Sequence, residues 1–153
     1  MALCIENELI SINIVIMMSI KNGSCLCGEI HFEVEGDFES FFLCHCSRCR
    51  KDTGSSHAAN LFSSSAKLRW LTGQDKVKVF TLPSTLHTKS FCSVCGSALP
   101  NLQMEGDLLV VPAGSLDSEL FFKPNAHINI SSKAEWDQDL ETLPKIDNDP
   151  VNA

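Results

Sequence analysis

The sequence predicts one all-β domain of mainly antiparallel sheets with one or two short helices. Three observations predict it. Short runs alternate polar and apolar residues with a period of two, as half-buried strands do. Gly, Pro, Asn and Asp interrupt those runs at short intervals. Seven of the 8 cysteines fall in three tight clusters that can tie such a small fold together. A length of 153 residues suits one domain and is too short for two separate cores. With 44% hydrophobic and 20% charged residues, a packed core can form.

The elements follow in chain order. The apolar run from Leu9 to Met18 is too short to span a bilayer. Glu6 and Glu8 precede it, the first basic residue is Lys21, and no small-residue cleavage pattern follows, unlike a secretory signal. Residues 1–18 are therefore expected to be an extension or a terminal strand, and the protein cytoplasmic. The domain is expected over residues 19–140. Glu29 to Glu35 alternates strictly, so Ile30, Phe32 and Val34 face a core. Lys67 to Leu71 is the next strand, ended by Thr72-Gly73, and Lys76 to Phe80 follows, ended by Pro83. Leu108 to Val111, Leu120 to Phe122 and Ile128 to Ile130 complete the strands, and Ala113 to Asp117 reads as a turn. Helices are expected at Ser47 to Thr53, capped by Ser47 and stopped by Gly54, and at Lys133 to Leu140. Phe62 and Phe91 read as packing residues, Trp136 as a core or rim aromatic, and residues 141–153 as a frayed tail.

A net charge of -7 argues against non-specific binding to nucleic acid or anionic membrane. The chemistry lies in the cysteines. The clusters are Cys25-Leu26-Cys27-Gly28, Cys44-His45-Cys46-Ser47-Arg48-Cys49 and Cys92-Ser93-Val94-Cys95-Gly96. In a reducing compartment such spacing favours metal over disulfides, and closely spaced C-x-C pairs strain an internal disulfide. Soft thiolate ligands suit zinc. Glycine follows Cys27 and Cys95, where a metal knuckle turns sharply, but Arg50 follows Cys49. Cys25, Cys27, Cys92 and Cys95 are thus expected to form a closed structural zinc site. Cys44, Cys46 and Cys49 would supply three ligands and leave a fourth position open, as catalytic zinc does. Two alternatives stand beside this: one zinc with three spare thiols, or His45 closing the second site. His45 lies between two ligands, so its side chain is expected to point away from the metal.

Three thiolates leave zinc a poor Lewis acid for making hydroxide, but well suited to hold a fourth, exchangeable thiolate. The expected substrate is a small thiol, added to or removed from an electrophilic carbon. Arg48, Arg50 and Lys51 flank the open cluster and are candidates to pair the carboxylates of such a thiol. His45, His57 and His127 are the candidate proton carriers.

The ordered motifs S-C-x-C-G-x-I, C-H-C-S-x-C-R-K, S-F-C-x-x-C-G-S and H-I-x-x-x-S-K-A-x-W, from about Ser19 to Trp136, resemble the glutathione-dependent formaldehyde-activating enzyme family. That family also includes the centromere protein V domain. The resemblance implies a tent-like fold of antiparallel sheets and the same two zinc sites, Cys25/Cys27/Cys92/Cys95 and Cys44/Cys46/Cys49. It implies a carbon–sulfur lyase joining glutathione and formaldehyde to S-hydroxymethylglutathione, or the reverse. Two competing readings are a non-catalytic zinc-stabilised binding module and a thiol or zinc sensor. Accessibility discriminates: an enzyme needs the three-cysteine site in a pocket, whereas a structural module closes it.

Overall fold

The computed structural model describes residues 19–147; the expected extension at residues 1–18 and the end of the tail lie outside them. The described residues form three small sheets and one α-helix, α1 (Ser47–Thr53). The first sheet orders β1 (Ile20–Ser24), β2 (His31–Glu35) and β5 (Lys67–Thr72) side by side. The second runs β11 (Ala126–Ile128), β3 (Ser40–Cys44), β4 (Ala58–Ser63), β10 (Leu108–Pro112), β9 (Asn101–Gln103). The third is β6 (Val77–Thr81), β7 (Thr88–Cys92) and β8 (Ala98–Leu99). Pairing is antiparallel except between β11 and β3, which run parallel.

Ile30, Phe32 and Val34 are fully buried, as their alternation predicts. They pack with Phe41, Leu61, Leu99, Leu109 and Val111 into one core. Cys25 and Cys92 belong to this same core, so one cysteine cluster is built into the hydrophobic centre. Glu33, on the opposite face of β2, is largely buried and forms an ion pair with Arg69 across the β2–β5 ladder.

Three expectations are corrected. Leu120 to Phe122 is no strand, although Leu120 and Phe122 pack against the core. The alternation is real, but no neighbouring strand supplies a ladder; the flanking backbone bonds are to Asn22 and Phe41, from Asp117 and Asn125. Lys133 to Leu140 is not α-helical. Asn129 and Asp139 adopt left-handed backbone with φ of 58° and 51°, and the intervening chain folds as turns anchored by buried Ala134 and Asp137. The strand expected at Ile128 to Ile130 is Ala126–Ile128, because Asn129 breaks the extended run. Residues 141–147 are exposed, and no helix among the described residues is long and apolar enough to cross a membrane.

Gly23 sets how closely β1 approaches its neighbours. A Cβ there would overlap the Phe32 ring and the carbonyl oxygen of Ser115. Gly23→Ala is therefore expected to destabilise the domain by roughly 2–3 kcal/mol, the usual cost of overpacking, read as a lowered midpoint in chemical denaturation.

Candidate metal centres

The first centre joins the end of β1 to the end of β7. Both halves are built alike. Cys25 follows β1, and the chain turns back so that Gly28 N–H bonds Cys25 O at 3.0 Å. Cys92 ends β7, and Gly96 N–H bonds Cys92 O at 2.8 Å. Gly28 and Gly96 have φ of 77° and 76°, the left-handed backbone expected of the glycine after each knuckle. Backbone N–H groups of Ile30 and Val94 donate to the sulfurs of Cys25 and Cys92 at 3.3 and 3.4 Å. The Ser97 hydroxyl ties the two knuckles, accepting from Leu26 N–H at 2.9 Å and lying 3.2 Å from the Cys95 sulfur.

The four sulfurs lie within 4.8 Å of one another and are unpaired. Cys25 and Cys27 are 3.4 Å apart, and Cys27 and Cys92 3.9 Å. Zn–S bonds of about 2.3 Å set a tetrahedral edge of about 3.8 Å, so the donor set fits that ion. The protonation pattern agrees. The Ser97 hydroxyl and backbone lower the Cys95 thiol to about 6. Burial opposes ionisation of Cys25, but Ile30 N–H and neighbouring thiols hold it below its ordinary value. The Glu29 N–H favours the Cys27 thiolate, yet desolvation and the crowded thiols push it up to about 12. Thiols this close cannot all ionise unless a cation joins them.

The second centre sits where β3 runs into α1. Cys44 is the last residue of β3 and pairs with Ala58 of β4. Cys46 is the helix N-cap in place of the expected Ser47: its sulfur accepts from Cys49 N–H at 3.4 Å. Gly54 stops the helix in left-handed backbone with φ of 65°, as predicted. The sulfurs of Cys44, Cys46 and Cys49 lie within 4.8 Å of one another. Burial, then the other two thiols, raises Cys49, whereas burial at Cys46 is outweighed by the Cys49 N–H and its neighbours, which lower it. The parallel strand β11 places Asn129 beside this site, where Nδ2 donates to the Cys44 sulfur at 3.1 Å.

A cavity of about 340 Å³ opens against Cys44 and Cys49. Helix periodicity sorts the α1 side chains. Cys49, Asp52 and Thr53 face this cavity, while Ser47, Arg50, Lys51 and Gly54 line a separate cleft of about 390 Å³ with Trp136. Arg48 lines neither. The cations nearest in sequence are thus turned away, and the wall is supplied instead by Lys89 and His87. Asp52 holds both, with Lys89 Nζ at 2.5 Å and His87 Nε2 at 3.2 Å. Trp136 is 64% exposed, a rim residue rather than a core one.

His45, His57 and His127 do meet, but away from the cavity wall. His45 is buried, and its ring groups with His57 and Asp137 rather than with the thiols flanking it in sequence. Its Nε2 lies 2.8 Å from His127 Nδ1, and its Nδ1 lies 3.0 Å from Asp137 Oδ2. His57 packs beside the His45 ring, with Nδ1 2.7 Å from the Ser56 hydroxyl. Burial, then the nearby His45, holds the His57 pKa below the usual imidazole value, with Asp137 opposing. Asp137, Asn129, Lys89 and His87 were not singled out by sequence reasoning. Asp137 directly follows the S-K-A-x-W motif, a local signal that could have flagged it.

These features define an all-β protein with a four-thiol cluster tied into its core and a three-thiol cluster beside a cavity. The chain belongs to the glutathione-dependent formaldehyde-activating enzyme family, whose profile matches residues 20–132. A crystal structure of a Rhodobacter sphaeroides protein shares the fold, at a TM-score of 0.52 and 22% identity over 69% of this chain and 98% of that one. No curated protein matches the sequence.

The two centres are expected to respond differently to substitution. A structural zinc contributes about 10–16 kcal/mol of apparent folding energy, as much as a whole domain's net stability of about 5–15 kcal/mol. Cys95→Ser should therefore abolish the cooperative melt. Cys44→Ser should keep it, and elemental analysis should then show the loss of the metal ion that the second cluster can hold. A Cys95→Ser protein of full stability would refute the structural assignment.

Proposed function

We propose that the protein is a zinc-dependent carbon–sulfur lyase of glutathione and formaldehyde, forming S-hydroxymethylglutathione or splitting it. The observation that carries this reading is that Cys44 and Cys49 open onto a cavity of about 340 Å³, within the range of about 300–1,000 Å³ for small-molecule sites. In the four-cysteine centre Cys25 and Cys92 are buried in the core, and Cys27, though exposed, does not line that cavity.

Cys25, Cys27, Cys92 and Cys95 would hold one zinc for structure, and Cys44, Cys46 and Cys49 a second at the cavity. Zinc on three thiolates supplies a place for an incoming thiol and lowers its pKa. The chain's own groups do the rest. Asn129 N–H to the Cys44 sulfur, and Cys49 N–H to Cys46, stabilise those thiols as anions and fix their direction. Leu99, Val110 and Ile128 give the cavity an apolar wall. Asn60, Asn101 and Gln103 offer amide donors and acceptors suited to a peptide-like thiol. Lys89 is the cation placed to meet its carboxylate; Arg50 and Lys51 would meet only a ligand that extends around α1.

The reaction balances without an oxidant. The sulfur lone pair forms a bond to the formaldehyde carbon, the C=O π pair moves to oxygen, and the thiol proton ends on that oxygen. His87 is the imidazole in the cavity wall and is assigned the proton transfer.

The adduct also forms without catalyst, so the test is the exchange rate between glutathione and S-hydroxymethylglutathione, followed by NMR. The zinc-loaded protein should accelerate exchange, and Cys44→Ser should reduce that acceleration at least about 100-fold. Lys89→Ala should raise KM for glutathione about tenfold with kcat little changed, the value of one charge-assisted hydrogen bond. Protein carrying both zincs that leaves the exchange rate untouched would sink the proposal and favour a non-catalytic module.

A further inference from the structure

Beside the open cysteine centre lies a polar cluster that the proposed reaction does not use. His45 is 1% exposed and Asp137 6%. Burying an imidazole and a carboxylate is costly unless each finds a partner. Yet His45 Nδ1 and Asp137 Oδ2, although 3.0 Å apart, lack the alignment of a hydrogen bond, and both atoms are left unpartnered. Two buried ligand-type atoms this close, with no hydrogen bond between them, are both available to a third group. His57 completes the set: one ring nitrogen from each histidine and the Asp137 oxygen lie within 4.8 Å of one another.

We propose that His45, His57 and Asp137 form a third metal site, for a divalent transition cation bound by nitrogen and oxygen. This does not depend on the proposed lyase activity. Metal–nitrogen and metal–oxygen bonds of about 2.0–2.2 Å place neighbouring ligands about 3.0–3.5 Å apart, which the His45–Asp137 separation meets. Two imidazoles and one carboxylate suit zinc, and also cobalt, iron or manganese. The surrounding bonds orient the ligands. His45 Nε2 is engaged with His127 Nδ1 at 2.8 Å; in the tautomer where Nε2–H donates, Nδ1 is free for the ion. The Ser56 hydroxyl occupies His57 Nδ1 and leaves Nε2 as that ring's ligand atom. Lys133 Nζ is 4.0 Å from Asp137 Oδ2 and competes for the carboxylate, but that contact is longer than a hydrogen bond.

The ion would act as a clasp. His45 lies between β3 and α1, His57 just before β4, and Asp137 in the turns after β11. Joining them would fix the C-terminal turns against the segment that presents Cys44 and Cys46.

The test is metal content after loading the whole chain with excess zinc and removing free ion by gel filtration. Wild type is compared with Asp137→Asn and His57→Gln. The site predicts one zinc fewer per chain in each variant. Loading with Co²⁺ in parallel gives a second readout, because thiolate-to-cobalt charge-transfer bands report the cysteine centres alone. Those bands should be equal in all three proteins while cobalt content drops by one in the variants. Equal metal content in wild type and both variants would overturn the site and leave a hydrogen-bonded cluster. Loss of the thiolate bands in both variants would also overturn it, since the cluster would then belong to the cysteine centre.

Discussion

Four sulfur atoms held within 4.8 Å of one another constrain everything else in this molecule. They can all be anionic only with a cation among them, since like charges at such distances repel strongly in a protein interior. Ser97 lowers the Cys95 thiol to about 6, while desolvation and the neighbouring thiols push Cys27 up to about 12. Cys25 and Cys92 are also members of the hydrophobic core, so the charge problem and the packing problem share a location. A divalent cation would solve both, holding the first sheet to the third where the strands alone supply little pairing. A domain of three short sheets has many exposed edges and a modest core, the situation in which small folds rely on metal staples.

The second centre uses the same ligand but a different support. Its three sulfurs come from one strand–helix junction rather than from two distant hairpins. Such a centre contributes little to cross-linking the fold, so losing it leaves the sheets standing. It can therefore open onto a cavity. The helix that carries Cys49 gives one face to that cavity and the other to the Trp136 cleft. Lys89 and His87, on β7 and just before it, line the cavity with Cys44 and Cys49, whereas the basic residues adjacent in sequence do not.

What was legible in the sequence was local. The period-two pattern of Ile30, Phe32 and Val34 marks a strand because alternation needs no knowledge of the partner. Gly54, Gly28 and Gly96 mark turns because left-handed backbone is a property of one residue. What was not legible depended on pairing between distant segments. Leu120 to Phe122 has a strand's pattern but no neighbour to bond. Asn129 reaches Cys44, and His127 reaches His45, only because β11 lies parallel to β3, which no local pattern announces. The placement of Arg50 and Lys51 was within reach. Cys49, Asp52 and Thr53 share one helical face and Ser47, Arg50 and Lys51 the other, so periodicity alone separates them from the thiols.

Three successive residues, Cys44, His45 and Cys46, contribute to two different donor sets. The thiols converge on one side, and the imidazole joins His57 and Asp137 on the other. The sets differ in softness, sulfur against nitrogen and oxygen, so they need not compete for the same ion. The thiol site is thereby held from behind. Any shift of the backbone at residue 45 that loosened Cys44 or Cys46 would also break the hydrogen bond of the buried His45 ring to His127, at 2.8 Å. Three thiols on a single junction form a weak scaffold by themselves. Buried polar contacts behind them supply the rigidity that a site open to solvent and substrate otherwise lacks.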